Sequence, residues 1–403
     1  MTALLAVLRL VASRVWAFVA PVVRVVSPVG WLVLLAAVVC WIAGFVFGWS
    51  EFVFLAVTLA AGLVIATLFL FGRASYGVLI ELTPRRVVAG DRALGRIVVT
   101  NTGSRKSTQS RLELPVGSGT AEFTIPTLAP KEEHEELFAV PTNRRAVIVA
   151  GPAVSVRGDQ LGLLRRTVKW ADPVELFVHP LTARLAPSAA GLVKDLEGEV
   201  SKTITNNDIS FHALRAYEPG DDRRNVHWRT SARTGQLMVR QFEETRRSQL
   251  TMIHSAESKG YASDDEFELA VSITASIATQ VIRDGTRLSI VSEALALRAR
   301  TATSMLDDSC RLEPVQSKFR TTRDFARATT LRLASPSVVI LVAGSGMPMA
   351  DFRSVETLFG LETQTIVFRA ELDAPSRVAH VSGLTVVTVG RLDELPRLVR
   401  RVR

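Results

Sequence analysis

Residues 215–233 read RAYEPGDDRRNVHWRTSAR, and within that stretch Asp221, His227 and Ser231 are the residue types of an acyl-transfer relay. In such a relay a carboxylate orients an imidazole, which takes the proton of a hydroxyl. Hydrolysis by these three also needs an oxyanion hole, which no part of the chain announces. A second chemistry is anion recognition: Arg215, Arg224, Arg229 and Arg233 with His227 would face outward and dock an acidic partner or a phosphate. A third is structural, with Asp221 paired to Arg224 or Arg215, Tyr217 and Trp228 packed beneath a sheet, and the segment locking two domains together. The local signals predict one short helix over 223–233. Pro219-Gly220-Asp221 makes the turn before it, Asp222 is the N-cap and Gly235 the C-cap. On that helix Arg224, His227, Trp228 and Ser231 fall at i, i+3, i+4 and i+7, and so share one face.

The elements that must hold this segment begin at a membrane. Residues 29–47 and 52–71 are two uncharged apolar runs, each near the ~20 residues that cross a hydrocarbon core. Between them stand only Gly48, Trp49, Ser50 and Glu51, so the spans form a tight hairpin with Trp49 at the interface. Arg9, Arg14 and Arg24 precede the hairpin and Arg73, Arg85 and Arg86 follow it, which places both termini in the cytoplasm by the positive-inside rule. Residues 1–27 are apolar but broken by arginines, and they read as an interfacial amphipathic helix. Their first positive charge follows the opening apolar run, unlike a signal peptide. A third span there would turn everything downstream outward, giving an envelope-facing binding module.

With 403 residues and a formal charge of +9, the chain has room for this membrane segment and two folded units. The anionic lipid surface is the simplest partner for the excess charge; the basic residues are dispersed and not interleaved with aromatics, which argues against nucleic acid. Cys40 and Cys310 make neither a disulfide framework nor a metal cluster.

Over 76–187 short β-branched runs alternate with Gly, Pro, Asn and Asp, predicting an all-β sandwich of about eight strands. Residues 188–246 form a linker that carries the 215–233 segment. From 247 to 403 strand and helix signals alternate, with strands at 248–253, 286–291, 337–342, 365–368 and 385–389 and helices at 264–283, 324–333, 351–359 and 393–402. Ser263 and Glu266 supply a capping box for the first of these helices. The continuous apolar run at 338–342 implies burial on both faces, so this part is a doubly wound α/β domain. Ligands of such folds bind at the carboxyl ends of the strands. Those ends are poor here: Gly344 and Gly346 lack phosphate-loop spacing and no lysine follows, so no cofactor is expected. His254 stands at a strand end with no second histidine or cysteine near it, so no metal is expected either.

The run Arg215, Tyr217, Gly220, Asp221, Arg224, Val226, His227, Trp228, Ser231, Ala232 and Arg233 resembles the hallmark of the domain of unknown function 58 family, and Asp159-Gln160-Leu161-Gly162-Leu163 is similar to a further segment of it. The resemblance implies a membrane-tethered protein with a von Willebrand factor A-like carboxyl-terminal domain, behind the sandwich that the strand spacing reads as immunoglobulin-like. It also implies partnership with a MoxR-type AAA+ ATPase and a transglutaminase-like membrane protein, and it brings no enzymatic activity. A metal-binding A domain would carry D-x-S-x-S after its first strand, where this chain has His254, Ala256 and Ser258, and an aspartate after its central strand, where Ala343 and Gly344 stand. The resulting expectation is a multi-pass, cytoplasm-facing, non-enzymatic interaction protein. The alternatives are a hydrolase built on Asp221, His227 and Ser231, and the envelope-facing module.

Overall fold

The computed structural model describes residues 25–70, 75–158, 161–187, 204–205, 210–243, 249–330, 336–360, 363–381 and 383–402. Most of the expected interfacial helix at 1–27, residues Asp159 and Gln160, and much of the 188–246 linker lie outside these. The chain divides into two compact units, one of residues 1–143 with 147–178 and one of residues 144–146 with 179–403. The division thus falls after Val178, not Pro187, and groups the 215–233 segment with the α/β part.

In the first unit, α1 (Pro28–Phe47) and α2 (Ser50–Leu70) form the expected hairpin. Ser27 caps α1, its hydroxyl accepting from Gly30 N at 3.0 Å. Gly44 leaves space for Val53, which lies where a Cβ on the glycine would sit, so the two helices approach closely. Both helices are long and apolar enough to cross a membrane. Their large apolar side chains point outward, Phe45 at 78% and Phe54 at 75% exposure. An apolar surface of that kind calls for lipid or a partner, not water. At the tip Trp49 lies 5.4 Å from both Phe47 and Phe52.

Ten strands follow: β1 (Tyr76–Leu82), β2 (Arg86–Val88), β3 (Ala93–Asn101), β4 (Ser110–Val116), β5 (Gly119–Ile125), β6 (Glu133–Val140), β7 (Ala146–Ala150), β8 (Val154–Gly158), β9 (Arg165–Lys169) and β10 (Val174–His179). One sheet has the order β1-β3-β6, the other β2-β10-β7-β4-β8-β9 with β5 paired to β4. Alternation along β3 turns Ile97 and Val99 fully inward. Phe123 of β5 meets Phe138 of β6 at 6.1 Å between ring centroids, and Tyr76 of β1 meets Trp170 at 5.5 Å, so the two sheets close on one core. The two strands beyond the expected eight, β2 and β9, are a three-residue piece and a polar one, R-R-T-V-K, which carry little apolar signal.

The second unit opens with a small sheet, β11 (Ile204–Thr205), β12 (Ser210–Ala216) and β13 (Met238–Glu243), ordered β11-β13-β12. The main sheet holds β14 (Gln249–His254), β15 (Arg287–Ser292), β16 (Ala296–Leu297), β17 (Val338–Ala343), β18 (Gln364–Ala370), β19 (Arg377–Val381) and β20 (Leu384–Val389). Its order is β16-β15-β14-β17-β18-β20-β19, parallel throughout except for the two edge strands. All six residues of β17 are buried, as the uninterrupted apolar run predicts. Alternate residues feed two cores. Met252, Ile340 and Phe368 pack with Phe267 and Ile277 of α4 (Asp264–Arg283) on one face. Ile253, Leu341 and Val367 pack with Phe325 and Phe352 on the other. The helices α6 (Thr322–Thr330), α7 (Met349–Glu356) and α8 (Leu395–Arg401) match three of the expected ones. The helix α5 (Ala302–Ser309) and the edge strand β19 were not expected. This is a doubly wound α/β unit. Because β14 leads outward to β15 while β17 leads the other way to β18, the topological switch point lies between β14 and β17.

Candidate docking site

The 215–233 segment is the connection between β12 and β13, and it differs from the single helix expected. A 3₁₀ turn covers Arg223–Asn225, capped by Asp222, and α3 covers only Trp228–Thr234. Between them Val226 bridges to Val239 on β13. A buried β-branched residue claimed by a strand interrupts what local propensity would have continued. Arg224 therefore does not share a helical face with His227, Trp228 and Ser231.

The polar groups of the segment are turned mostly onto its own backbone. Arg215 holds Asp221 by two bonds, Nη1 to Oδ2 at 2.7 Å and Nη2 to Oδ1 at 2.6 Å, and Asp221 Oδ2 also accepts from Glu218 N at 2.9 Å. These contacts hold the Asp221 carboxyl below its ordinary range, first through Arg215, and raise the Arg215 guanidinium in return. Gly220, at φ 117°, makes the turn that brings Asp221 back under Arg215. Ser231 is buried; its hydroxyl donates to the His227 carbonyl at 3.1 Å and accepts from Met238 N at 2.8 Å. His227 is the N-cap of α3, with Nδ1 accepting from Thr230 N at 3.2 Å. Among the described residues the His227 imidazole bonds neither the Asp221 carboxylate nor the Ser231 hydroxyl, so the relay geometry is not assembled.

What remains outward is cationic and aromatic. Trp228 is 67% exposed, not packed beneath a sheet, and Arg224, Arg229 and Arg233 are exposed around it, while Tyr217 is half-buried. The sequence offered an inward role to Tyr217 and Trp228, an outward one to Arg229, Arg233 and His227, and both to Arg215 and Arg224. The structure divides them, with Arg215, Asp221 and Ser231 closing the loop and Trp228 and the other arginines facing solvent.

At the switch point the carboxyl ends of the strands are filled by the protein itself. Glu266, expected as a capping-box partner of Ser263, keeps half of that box: its N–H donates to Ser263 Oγ at 3.2 Å. Its carboxylate instead accepts from Ser345 N at 2.6 Å and Ser345 Oγ at 2.9 Å. Arg369 Nη2 donates to the Ser345 carbonyl at 2.7 Å, and Tyr261 donates its hydroxyl to the Ser255 carbonyl. Of the three positions the resemblance singled out, His254 and Ala256 are fully buried and only Ser258 is exposed. Among the described residues no three His, Cys, Asp or Glu side chains converge as a metal site would require. Beside the filled crevice lies a cleft of about 380 Å³ whose walls include Glu257, Lys259, Glu293, Arg320 and Asp351. Burial raises the Glu293 carboxyl even though it accepts from Ala256 N at 2.6 Å. Glu293, and the turn of the Glu266 carboxylate onto Ser345 in place of its own helix end, carry no sequence signal because the partners lie far along the chain.

Cys310 is no nucleophile in this setting. Burial pushes its thiol up to about 12, and its Sγ–H donates to Leu306 O at 3.2 Å. Iodoacetamide at mildly alkaline pH is expected to leave Cys310 unmodified in the folded chain and to modify it rapidly in denaturant. Equal rates in the two states, read by peptide mass spectrometry, would refute this.

A hairpin of two long apolar helices, a β-sandwich and a doubly wound α/β unit bearing an Arg/Asp-locked, Trp-presenting loop define the class. Residues 213–304 match the model of the family described as "Protein of unknown function DUF58". It is similar to the uncharacterized protein YeaD of Bacillus subtilis, at 34% identity over 142 residues, covering 35% of this chain. The match spans 34% of that relative's length. Among solved structures, a CARDB domain from Pyrococcus furiosus aligns at 16% identity and TM-score 0.21, over 27% of this chain and 90% of that one. The putative ApaA protein from Bordetella pertussis aligns at 17% identity and TM-score 0.18, over 26% of this chain and 94% of that one.

Proposed function

We propose that the chain is a membrane-anchored, non-enzymatic interaction protein, with both folded units in the cytoplasm and the 215–233 loop as its docking element. The observation that carries this is Trp228, 67% exposed among outward arginines on a loop that Arg215, Asp221 and Ser231 close internally. An indole framed by arginines is the composition of an interface hot spot, and three exposed cations select an acidic surface on the partner. The family resemblance implies that this partner is a MoxR-type AAA+ ATPase, with a transglutaminase-like membrane protein in the same assembly. The outward apolar faces of α1 and α2 support the anchor. On this reading the sandwich is immunoglobulin-like and the α/β unit is a von Willebrand factor A-like carrier whose own crevice is closed.

Pull-down from native membranes, under nucleotide conditions that preserve the complex, should enrich such an ATPase with the natural chain. Trp228→Ala should weaken that capture by about 2 kcal/mol, roughly 30-fold in affinity. Arg229→Glu should weaken it further and remove much of its salt dependence. Capture unchanged by Trp228→Ala, with the fold intact by circular dichroism, would sink the docking role of the loop. Absence of the ATPase from every natural-chain eluate would sink the partner.

A further inference from the structure

We infer that residues 161–164, which lead into β9, form a lipid-contacting element, with Leu161 inserted at the headgroup and acyl-chain boundary beside the two long helices. The inference rests on the membrane-anchored reading above and adds a second contact between the first unit and the bilayer. Residues 161–164 do not hang free in solvent; they lie against the base of the two long helices. Ser27 N donates to the Leu163 carbonyl at 3.0 Å and Ser27 Oγ donates to the Gly162 carbonyl at 2.6 Å. Val26 and Leu164 form an isolated antiparallel bridge. Leu163 and Leu164 are buried against Val33, Leu63 and Ala66.

Depth follows from the helical rise. Val33 lies five residues past Pro28 in α1 and Leu63 seven before Leu70 in α2. The loop backbone meets Ser27 and Gly30, within about 3 Å of helical rise of the start of α1, and only the side chains of Leu163 and Leu164 reach on to Val33 and Leu63, so the loop is held at the helix end, where the hydrocarbon begins. Irregular backbone is tolerated at that depth only if its polar groups are satisfied. The two Ser27 bonds supply this for the Gly162 and Leu163 carbonyls. Gly30 permits the approach, since a Cβ there would stand 2.2 Å from the Leu163 carbonyl oxygen. Leu161, in the same segment, is 76% exposed, an arrangement that suits acyl chains and not water. Arg166, exposed on β9 a few residues on, is suited to the phosphate of a neighbouring headgroup. The occupant of this patch is thus the lipid surface itself.

The full chain, with Cys40→Ala and Cys310→Ala, would carry a single Leu161→Cys bearing an environment-sensitive fluorophore. It would be reconstituted in vesicles of phosphatidylcholine and phosphatidylglycerol. Flotation reads the membrane anchor independently of the loop: chains that sink refute the anchor, and the inference with it. For chains that float, the expected result is blue-shifted emission quenched strongly by nitroxides near the glycerol level and weakly by nitroxides at the chain ends. A floating chain with water-like, unquenched emission overturns the inference while leaving the anchor standing. Adding Gly30→Leu, which displaces the Leu163 carbonyl, should return the probe toward water without loss of flotation. Quenching unaffected by that change would overturn the role given to the loop's seat on α1.

Discussion

Between pH 6.5 and about 3, His254 is expected to make the second unit lose stability by roughly 1.4 kcal/mol per pH unit, and a His254→Leu chain is expected to lack that slope. The imidazole is fully buried at the end of β14, edge-on to Phe267 at 5.7 Å. Its Nδ1 lies 3.0 Å from Thr274 Oγ1, and that hydroxyl gives its own proton to the Ala270 carbonyl. Nδ1 must therefore be the protonated nitrogen, which leaves Nε2 a bare acceptor with no partner in the core. A second proton would place an unpaired N–H and a charge in an apolar site. Burial accordingly drives the pKa down to about 3, with Arg145 adding a smaller push in the same direction. The unfolded chain binds its proton near 6.5 and the folded chain only near 3. The folded state is thus favoured fully above 6.5 and loses that advantage as the pH falls toward 3. Hydrogen exchange of the α4 amides in the full chain, followed against pH, reads the effect directly. Parallel pH profiles for the natural chain and His254→Leu would show that His254 is not the group responsible.

That histidine also shows what a sequence can and cannot carry. Its isolation from other metal ligands was legible, because metal sites need several donors and none stood nearby. Its burial and tautomer depend on Thr274, twenty residues away on a helix face that only the folded sheet brings near. Elements with a strong local signal were read correctly in kind: the apolar run of β17, the capped amphipathic α4, and the two long apolar helices. Elements whose signal is tertiary were missed. The helix α5, A-T-S-M-L-D-D-S, has no apolar stripe, and it is held by Met305 in the core and by Asp308 paired with Arg298 at 2.7 Å. The expected helix over 223–233 had sound caps at Asp222 and Gly235, but Val226 went to Val239 on β13, and a strand partner outweighs a residue's helical preference. In the candidate site the pairing of Asp221 with an arginine was legible from charge, with Arg224 and Arg215 both open, and the fold selects Arg215. The outward turn of Trp228 was not, because an indole in a periodic pattern reads as core until the face it occupies is known.

Gly344→Asp is expected to destabilise the second unit by about 1 to 3 kcal/mol or more, and not to create a cation site. On resemblance alone this substitution looks like a repair, since an aspartate is what a complete metal-binding site would carry after the central strand. The packing argues the reverse. A Cβ on Gly344 would stand 2.3 Å from the Gly260 carbonyl oxygen, 2.4 Å from the Tyr261 ring and 2.6 Å from Glu266 Oε1. The first of these is backbone, in a turn that also accepts from Gly346 N at 3.0 Å, so it cannot swing aside cheaply. The third is a carboxylate already committed to Ser345, so an aspartate would add like charge as well as bulk. Glu266 thus takes the space beside Ser345 from within the protein, and the shape around Gly344 follows from that occupancy. Gly344→Ala isolates the steric part and should lower the thermal midpoint; Gly344→Asp should lower it further, with calcium or magnesium restoring nothing. A Gly344→Asp chain that melts at the natural temperature and is stabilised by added magnesium would mean that the crevice can open, and that Glu266 guards a site instead of replacing one.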